Sequence, residues 1–231
     1  MRPRLLFGLL IPLASAGLFA RLGVWQLHRL DERRAFNTTL GARLAEAPVD
    51  VAALPADPAQ GHYRRVSANG VYLYDREVVY AGRTREGSPG VNFLTPLRLE
   101  GTGAIVMVNR GWAYSPDAGT IDLSKWRERD SVSVSGFAET YAADAKAATA
   151  PANPRKLHQL RRPIVESVVG GPVLPYVLVQ VSDKVQRADS VPVRLLLPVL
   201  DEGPHQNYAI QWFAFALIAV VGGVMLFVRS R

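Results

Sequence analysis

Four histidines, His28, His62, His158 and His205, are the side chains best suited to bind a metal or a metal-bearing cofactor. No two of them stand at HxH or HExxH spacing, so a zinc site has no support. The chain has no cysteine, which excludes disulfides, thiolate zinc sites, iron–sulfur clusters and thiolate catalysis within it. No GxSxG elbow, P-loop or dinucleotide fingerprint occurs. Gly101-Thr102-Gly103 reads as a hairpin turn. His205 is the informative histidine. If a helix extends back to it, His205, Tyr208, Ala209 and Trp212 fall at i, i+3, i+4 and i+7 and share one face. Neutral imidazole is an axial ligand for haem iron, and the small Ala209 and Ala216 would leave room for a flat macrocycle. The plainer alternative is an interfacial histidine that hydrogen-bonds lipid headgroups.

A second group echoes the first. Arg21, Trp25 and His28 stand at i, i+4 and i+7, with Arg29 adjacent. An arginine there could pair with a carboxylate such as a haem propionate. The alternative is snorkelling and anchoring at a membrane interface.

The elements that must position these groups lie at the two ends of the 231-residue chain. Ala209 to Val228 is an uncharged run of 20 residues, about 30 Å as helix, which matches the thickness of a hydrocarbon core. Leu5 to Leu27 is a second apolar stretch, interrupted by Arg21 and expected to bend at Pro12. Arg2, Arg4 and the Ala14-Ser15-Ala16 triplet also fit a signal peptide cleaved after Ala16. The apolar character that continues to Trp25 favours an uncleaved anchor. Arg2 and Arg4 before the first span, with Arg229 and Arg231 after the second, put both termini on the cytoplasmic side by the positive-inside rule. Arg29, Arg33 and Arg34 after the first span weaken that assignment.

The charge balance is 27 Lys plus Arg against 20 Asp plus Glu, net +7, and 48% of residues are hydrophobic. The mean hydropathy of +0.06 is an average of two apolar ends and a polar middle. The arginines are scattered, so the basic balance reads as topology signals and a basic juxtamembrane stretch, with no nucleic-acid partner.

Residues 31–61 read as a short polar helix over Asp31 to Leu44, then a linker with Pro48, Pro55 and Pro58. From His62 the pattern is β. Tyr63 to Tyr74 is expected as strand with a turn signal at Asn69-Gly70, and Gly82 to Gly90 as a turn region. Val91 to Leu99, broken by Pro96, is expected at a sheet edge. Ala104 to Trp112 reads as a buried strand ending in a polar turn, and Ser131 to Phe137 alternates Ser and Val, burying one face. Ala142 to Asn153 is expected as a mobile loop, His158 to Val169 as a short helix starting near Pro163, and Tyr176 to Val181 as a strand. The fold class is therefore a membrane protein, α+β, with two transmembrane helices flanking a mainly antiparallel β domain. Its parts are 1–30, 31–61, 62–204 and 205–231.

Three motifs resemble the surfeit locus protein 1 family of cytochrome c oxidase assembly factors. The first is Gly23, Trp25, Gln26, Arg29 and Arg33; Lys is commoner at the last place. The second joins Gly90 and Leu94-Thr95-Pro96-Leu97 to Val108-Asn109-Arg110-Gly111-Trp112. The third runs from Gly203-Pro204-His205 through Tyr208-Ala209 and Gln211-Trp212-Phe213 to Phe215-Ala216, with Gln206-Asn207 where Leu-Ser is common. The resemblance implies a non-catalytic factor that helps insert haem a into oxidase subunit I. Its central domain would be extracytoplasmic and both termini in the cytoplasm of a bacterial cell. It implies His205 as the axial ligand of haem iron, with Tyr208, Trp212, Trp25 and Gln26 lining a haem-facing surface between the helices. His28 falls at an open position of the first motif and gains no support. Arg110, in a strand-end turn, would present a polar contact to haem or oxidase, or else satisfy turn carbonyls. Expected partners are subunit I and other assembly factors, with haem a synthase a further candidate, and membrane lipid. A scaffold that holds subunit I without carrying haem is the alternative, and an enzyme acting outside the membrane has no sequence seed.

Overall fold

The computed structural model describes residues 3–142, 153, 155–182 and 191–229, with side chains from residue 10 onward. It divides into two compact units: residues 1–41 with 199–231, and residues 42–198.

The first unit is a pair of helices, α1 (Pro3–Ala45) and α4 (His205–Arg229). Both are long and apolar enough to cross a membrane. α1 has 43 residues, about 64 Å, roughly twice a hydrocarbon core. The polar helix expected over Asp31 to Leu44 is therefore the uninterrupted continuation of the first span. No glycine or proline stands between Gly23 and Gly41 to end it, and Pro48 is the first proline beyond the span. Pro12 lies within α1.

α1 and α4 meet along a seam of period 3.5. On α1 the covered positions are Pro12, Ala16, Phe19, Gly23, Gln26 and Leu30; on α4 they are Ala209, Trp212, Ala216, Ala219 and Gly223. Alternating steps of four and three are the spacing of paired helices with knobs in holes. The seam is closed by small residues, as in membrane helix pairs. A methyl at Gly223 would meet the Pro12 ring, and one at Gly23 would meet the Phe213 ring.

The second unit is β-rich. After β1 (Val49–Asp50) and the single-turn helix α2 (Pro58–Gly61) come β2 (Arg65–Tyr72), β3 (Val78–Arg85), β4 (Ser88–Leu99), β5 (Ile105–Tyr114) and β6 (Ser131–Thr140). Then follow β7 (Lys156–Leu157), α3 (Arg162–Val169) and β8 (Tyr176–Gln180). The strands are ordered β1-β2-β6-β8-β5-β4-β3-β7, and an additional β2–β4 pairing closes β2, β6, β8, β5 and β4 into a ring. The long pairings are antiparallel except β5–β8. Val66, Ala68, Leu97, Val106, Val108, Val134 and Leu178 belong to one buried cluster. A second cluster joins Val165 and Val169 of α3 to Val78, Leu94, Met107 and Val177.

The mainly antiparallel domain between two apolar helices agrees with the sequence expectation. The strand over Ala104 to Trp112, the alternation in Ser131 to Ser135 and the helix near Pro163 are all present. Three local expectations are corrected. Asn69-Gly70 is no turn: β2 runs through it, because Gly70 lets the Arg98 carbonyl of β4 approach where a Cβ would stand. β4 is no edge strand. It pairs with β5 along most of its length, with β3 up to Leu94 and with β2 from Leu97. Pro96 sits in the gap between the last two ladders, where its missing N–H costs no ladder bond. The region from Gly82 to Gly90 is mostly strand. Only Glu86-Gly87 turns, both at positive φ, as tight hairpins require. The Ala-rich stretch expected as a mobile loop falls largely outside the described residues.

Candidate functional site

His205 opens α4, directly after Gly203 and Pro204. Asp201 Oδ1 accepts the Gly203 N–H at 2.6 Å, and the Pro204 carbonyl accepts the Tyr208 N–H at 3.1 Å. These bonds set the turn that delivers the imidazole. Gly203 has φ of 69°, and a Cβ there would lie 3.4–3.5 Å from Cδ2 and Nε2 of His205. Glycine thus satisfies the left-handed backbone, and a Cβ in its place would come only into van der Waals contact with the ring.

The other nitrogen is engaged. His205 Nδ1 lies 2.9 Å from Oε1 of Gln26, a buried seam residue of α1. With an amide oxygen as partner, Nδ1 carries the hydrogen, and in the neutral tautomer that this selects the lone pair is on Nε2. A histidine oriented through one nitrogen, with the other free, is how metal-ligating imidazoles are commonly held. Among the described residues no group of three or more His, Asp or Glu side chains is placed to hold a bare metal ion. A lone imidazole suits a metal already held by other ligands better than a bare ion.

The remaining residues divide. Trp212 is in the seam, stacked on Phe19 (centroids 5.7 Å, 27°) and edge-on to Phe215 at 5.9 Å. Ala209 is buried, so the room that small residues were expected to leave for a macrocycle is taken up by packing in the seam. Tyr208 and Trp25 are 46% and 52% exposed and lie off the seam. α4 begins at His205, so His205, Tyr208, Ala209 and Trp212 share one helix face, on which Ala209 and Trp212 are covered in the seam and Tyr208 stands at its exposed edge. Arg29 is exposed, bonded to Glu32 at 2.6 Å.

The connection of the α1 extension to the segment before α4 has no signature in the residue pattern. Arg33 Nε and Asn37 Nδ2 donate to the Asp201 carbonyl at 2.7 and 3.0 Å. Arg34 makes a two-pronged contact with Glu202, 3.0 Å in each arm. These contacts hold the Asp201–Gly203 turn, and through it the approach to His205.

Arg110 departs furthest from expectation. It lies within β5, with no accessible surface, and presents nothing to a partner. Phe93 pairs with Gly111 and Leu94 with Asn109, so Arg110 is the extra residue of a β-bulge. Its guanidinium binds Glu77 at 2.6 Å, Glu128 at 2.8 and 3.1 Å, and the Trp126 carbonyl. The rings of Tyr72, Tyr74 and Phe93 lie 5.1–5.9 Å away. Arg194 joins the network through Glu128 and the Arg110 carbonyl. Burial pushes the Glu77 carboxyl above its usual range, against the opposing pull of the Thr95 hydroxyl and Arg110. The bulge turns the guanidinium inward among those rings.

A family model described as the SURF1 family matches residues 13–217. A SURF1-like protein of Monosiga brevicollis is 33% identical over 118 residues, 47% of this chain and 43% of that protein. An uncharacterized SURF1-like protein of Mycobacterium tuberculosis is 26% identical over 212 residues, 88% of this chain and 76% of the relative. A SURF1-like protein of Rickettsia bellii is 24% identical over 207 residues, 87% and 82% of the two chains. The chain spans less than half the length of the curated relatives it matches at above 30% identity.

Proposed function

The chain belongs to the SURF1 family, and from that premise we propose that it is a membrane-anchored, non-catalytic factor in cytochrome c oxidase assembly. In this reading His205 receives haem a as cargo on its way to subunit I. The observation that carries it is the pairing of His205 Nδ1 with Gln26 Oε1 at 2.9 Å, which turns the other ring nitrogen, Nε2, to a ligand. Haem a brings an iron that takes a neutral imidazole in an axial position. Gln26 fixes the ring and its tautomer. Trp212 braces the helix pair. Tyr208 and Trp25, exposed beyond the seam, supply flat apolar surface on which a macrocycle can lie.

The positive-inside rule supports an orientation with both termini cytoplasmic in a bacterial plasma membrane and the β domain outside. His205 then stands at the outer interface. Subunit I, other oxidase assembly factors and haem a synthase are the partners this function calls for.

The closure of the seam around Ala209 favours a second reading, a scaffold that stabilises subunit I without holding haem. Complementation separates the two. In cells lacking the protein, wild type should restore the haem a content of the oxidase. His205→Ala should restore the level of subunit I but not its haem a. Equal restoration by both would favour the scaffold.

A further inference from the structure

The face of the β domain beside α3 carries a cleft of about 540 Å³, within the range of small-ligand sites. It is built on a cross-strand row: Tyr80 of β3 pairs with Asn92 of β4, which pairs with Trp112 of β5. Two irregularities frame it. β3 slips against β4 between Tyr80 and Arg83, with Gly82 at φ of 70°, and β5 bulges at Arg110 with Gly111 at φ of 120°. The second bulge puts Asn109 and Trp112 on the cleft while Arg110 turns into the core. Bulges commonly re-aim side chains at functional sites.

The polar groups lining the cleft are largely unused by the protein itself. Trp112 lines the cleft with its indole Nε1–H packed over Gly90, and Arg83 lines it with its Nε–H buried. Asn109 accepts the Gly111 N–H at 3.2 Å through its oxygen, which leaves its amide N–H groups for the cleft. Arg83 stacks on the Tyr80 ring at 4.0 Å, holding its guanidinium at the wall. Arg85 is partly occupied by the Arg194 carbonyl at 3.4 Å and by Glu86 at 3.7 Å. Burial pushes the Glu139 carboxyl upward against the pull of Arg83. The charge in reach is small, since Glu139 and Glu86 oppose the two arginines. A dianion such as phosphate would meet Glu139 unfavourably, whereas one carboxylate matches the surplus of donors. Tyr80, Leu195 and Leu196 add an apolar wall.

We propose that this cleft binds an organic monocarboxylate, its two oxygens accepting from the Arg83 guanidinium and the amides of Asn92 and Asn109, and its apolar body against Tyr80, Leu195 and Leu196. The carboxylate comes either from a free small acid or from the C-terminus of a peptide. The site is independent of His205.

The test is NMR of the full chain in detergent micelles with 15N-tryptophan, the Trp112 indole assigned by its loss in Trp112→Phe. Hexanoate should shift that resonance saturably, and hexanamide and inorganic phosphate should not. Arg83→Gln should weaken the response at least tenfold, while Glu139→Gln should keep or strengthen it. The other indole resonances report that each variant is folded. A second arm compares acetyl-Leu-Leu with its C-terminal amide. Tighter binding of the peptide acid than of hexanoate assigns the chain-end source, and the reverse assigns the small acid. No shift with either acid, equal shifts with acid and amide, equal binding of phosphate, or an unchanged Arg83→Gln would overturn the proposal.

Discussion

Gln26 of α1 and His205 of α4 stand 179 residues apart in sequence and 2.9 Å apart in space. The bond ties the only histidine at the start of an apolar helix to a buried amide of the opposite helix. It fixes which imidazole nitrogen is free. Gln26→Leu keeps the bulk but removes the acceptor. Haem affinity should then fall roughly 10- to 100-fold, as for other lost supports of metal-bound histidines, with the helix pair intact. Titration of purified protein with haem, read by absorption, measures the change.

Arg110 is expected to act through stability alone. Arg110→Ala leaves Glu77 buried without its guanidinium and should cost about 3–5 kcal/mol. Adding Glu77→Gln removes the stranded charge and should recover part of that loss. Denaturant unfolding of wild type, single and double variants checks both, and a haem-binding defect exceeding the folding defect would contradict a structural role.

Glu139 gives a pH dependence of defined sign. Burial raises its folded pKa above the usual 4.5. Between those two values the folded state holds a proton that the unfolded state has lost, so stability falls as pH rises through that window. Glu139→Gln should flatten the slope and stabilise the protein at neutral pH. Thermal unfolding midpoints of both proteins from pH 4 to pH 8 test it.

The absence of cysteine makes the orientation directly measurable. Single cysteines at Ser133, exposed on β6, and at Arg229, the last residue of α4, report the two sides. A membrane-impermeant thiol reagent applied to intact spheroplasts should label Ser133→Cys and leave Arg229→Cys untouched until the membrane is broken. The opposite pattern would invert the topology.

Much of the fold is visible in the residue pattern, and the exceptions have physical causes. The uncharged run into Val228 declares a spanning helix without reference to anything else in the chain. The full length of α1 is not legible because its polarity changes at Asp31 although nothing there breaks a helix. Asn69-Gly70 misleads because a glycine wanted for close approach of Arg98 looks the same as one wanted for a turn. Pro96 misleads because a central strand can have a local gap between two partners. His205 was identifiable from its place in the chain, and Gln26 from its motif. Their contact was not, since it depends on which stripe of each helix forms the seam. The same choice leaves Tyr208 and Trp25 outside it. The burial of Arg110 is hidden because a bulge shifts the alternation of inward and outward residues by one.

The most direct test is the absorption spectrum of the full-length protein purified from cells that make haem a, beside His205→Ala prepared in the same way. Wild type should carry the Soret and α bands of haem a, and His205→Ala should lose them or shift them to those of a differently ligated iron. Absence of haem from wild type, or an identical spectrum in the variant, would contradict the assignment of His205 as the ligand.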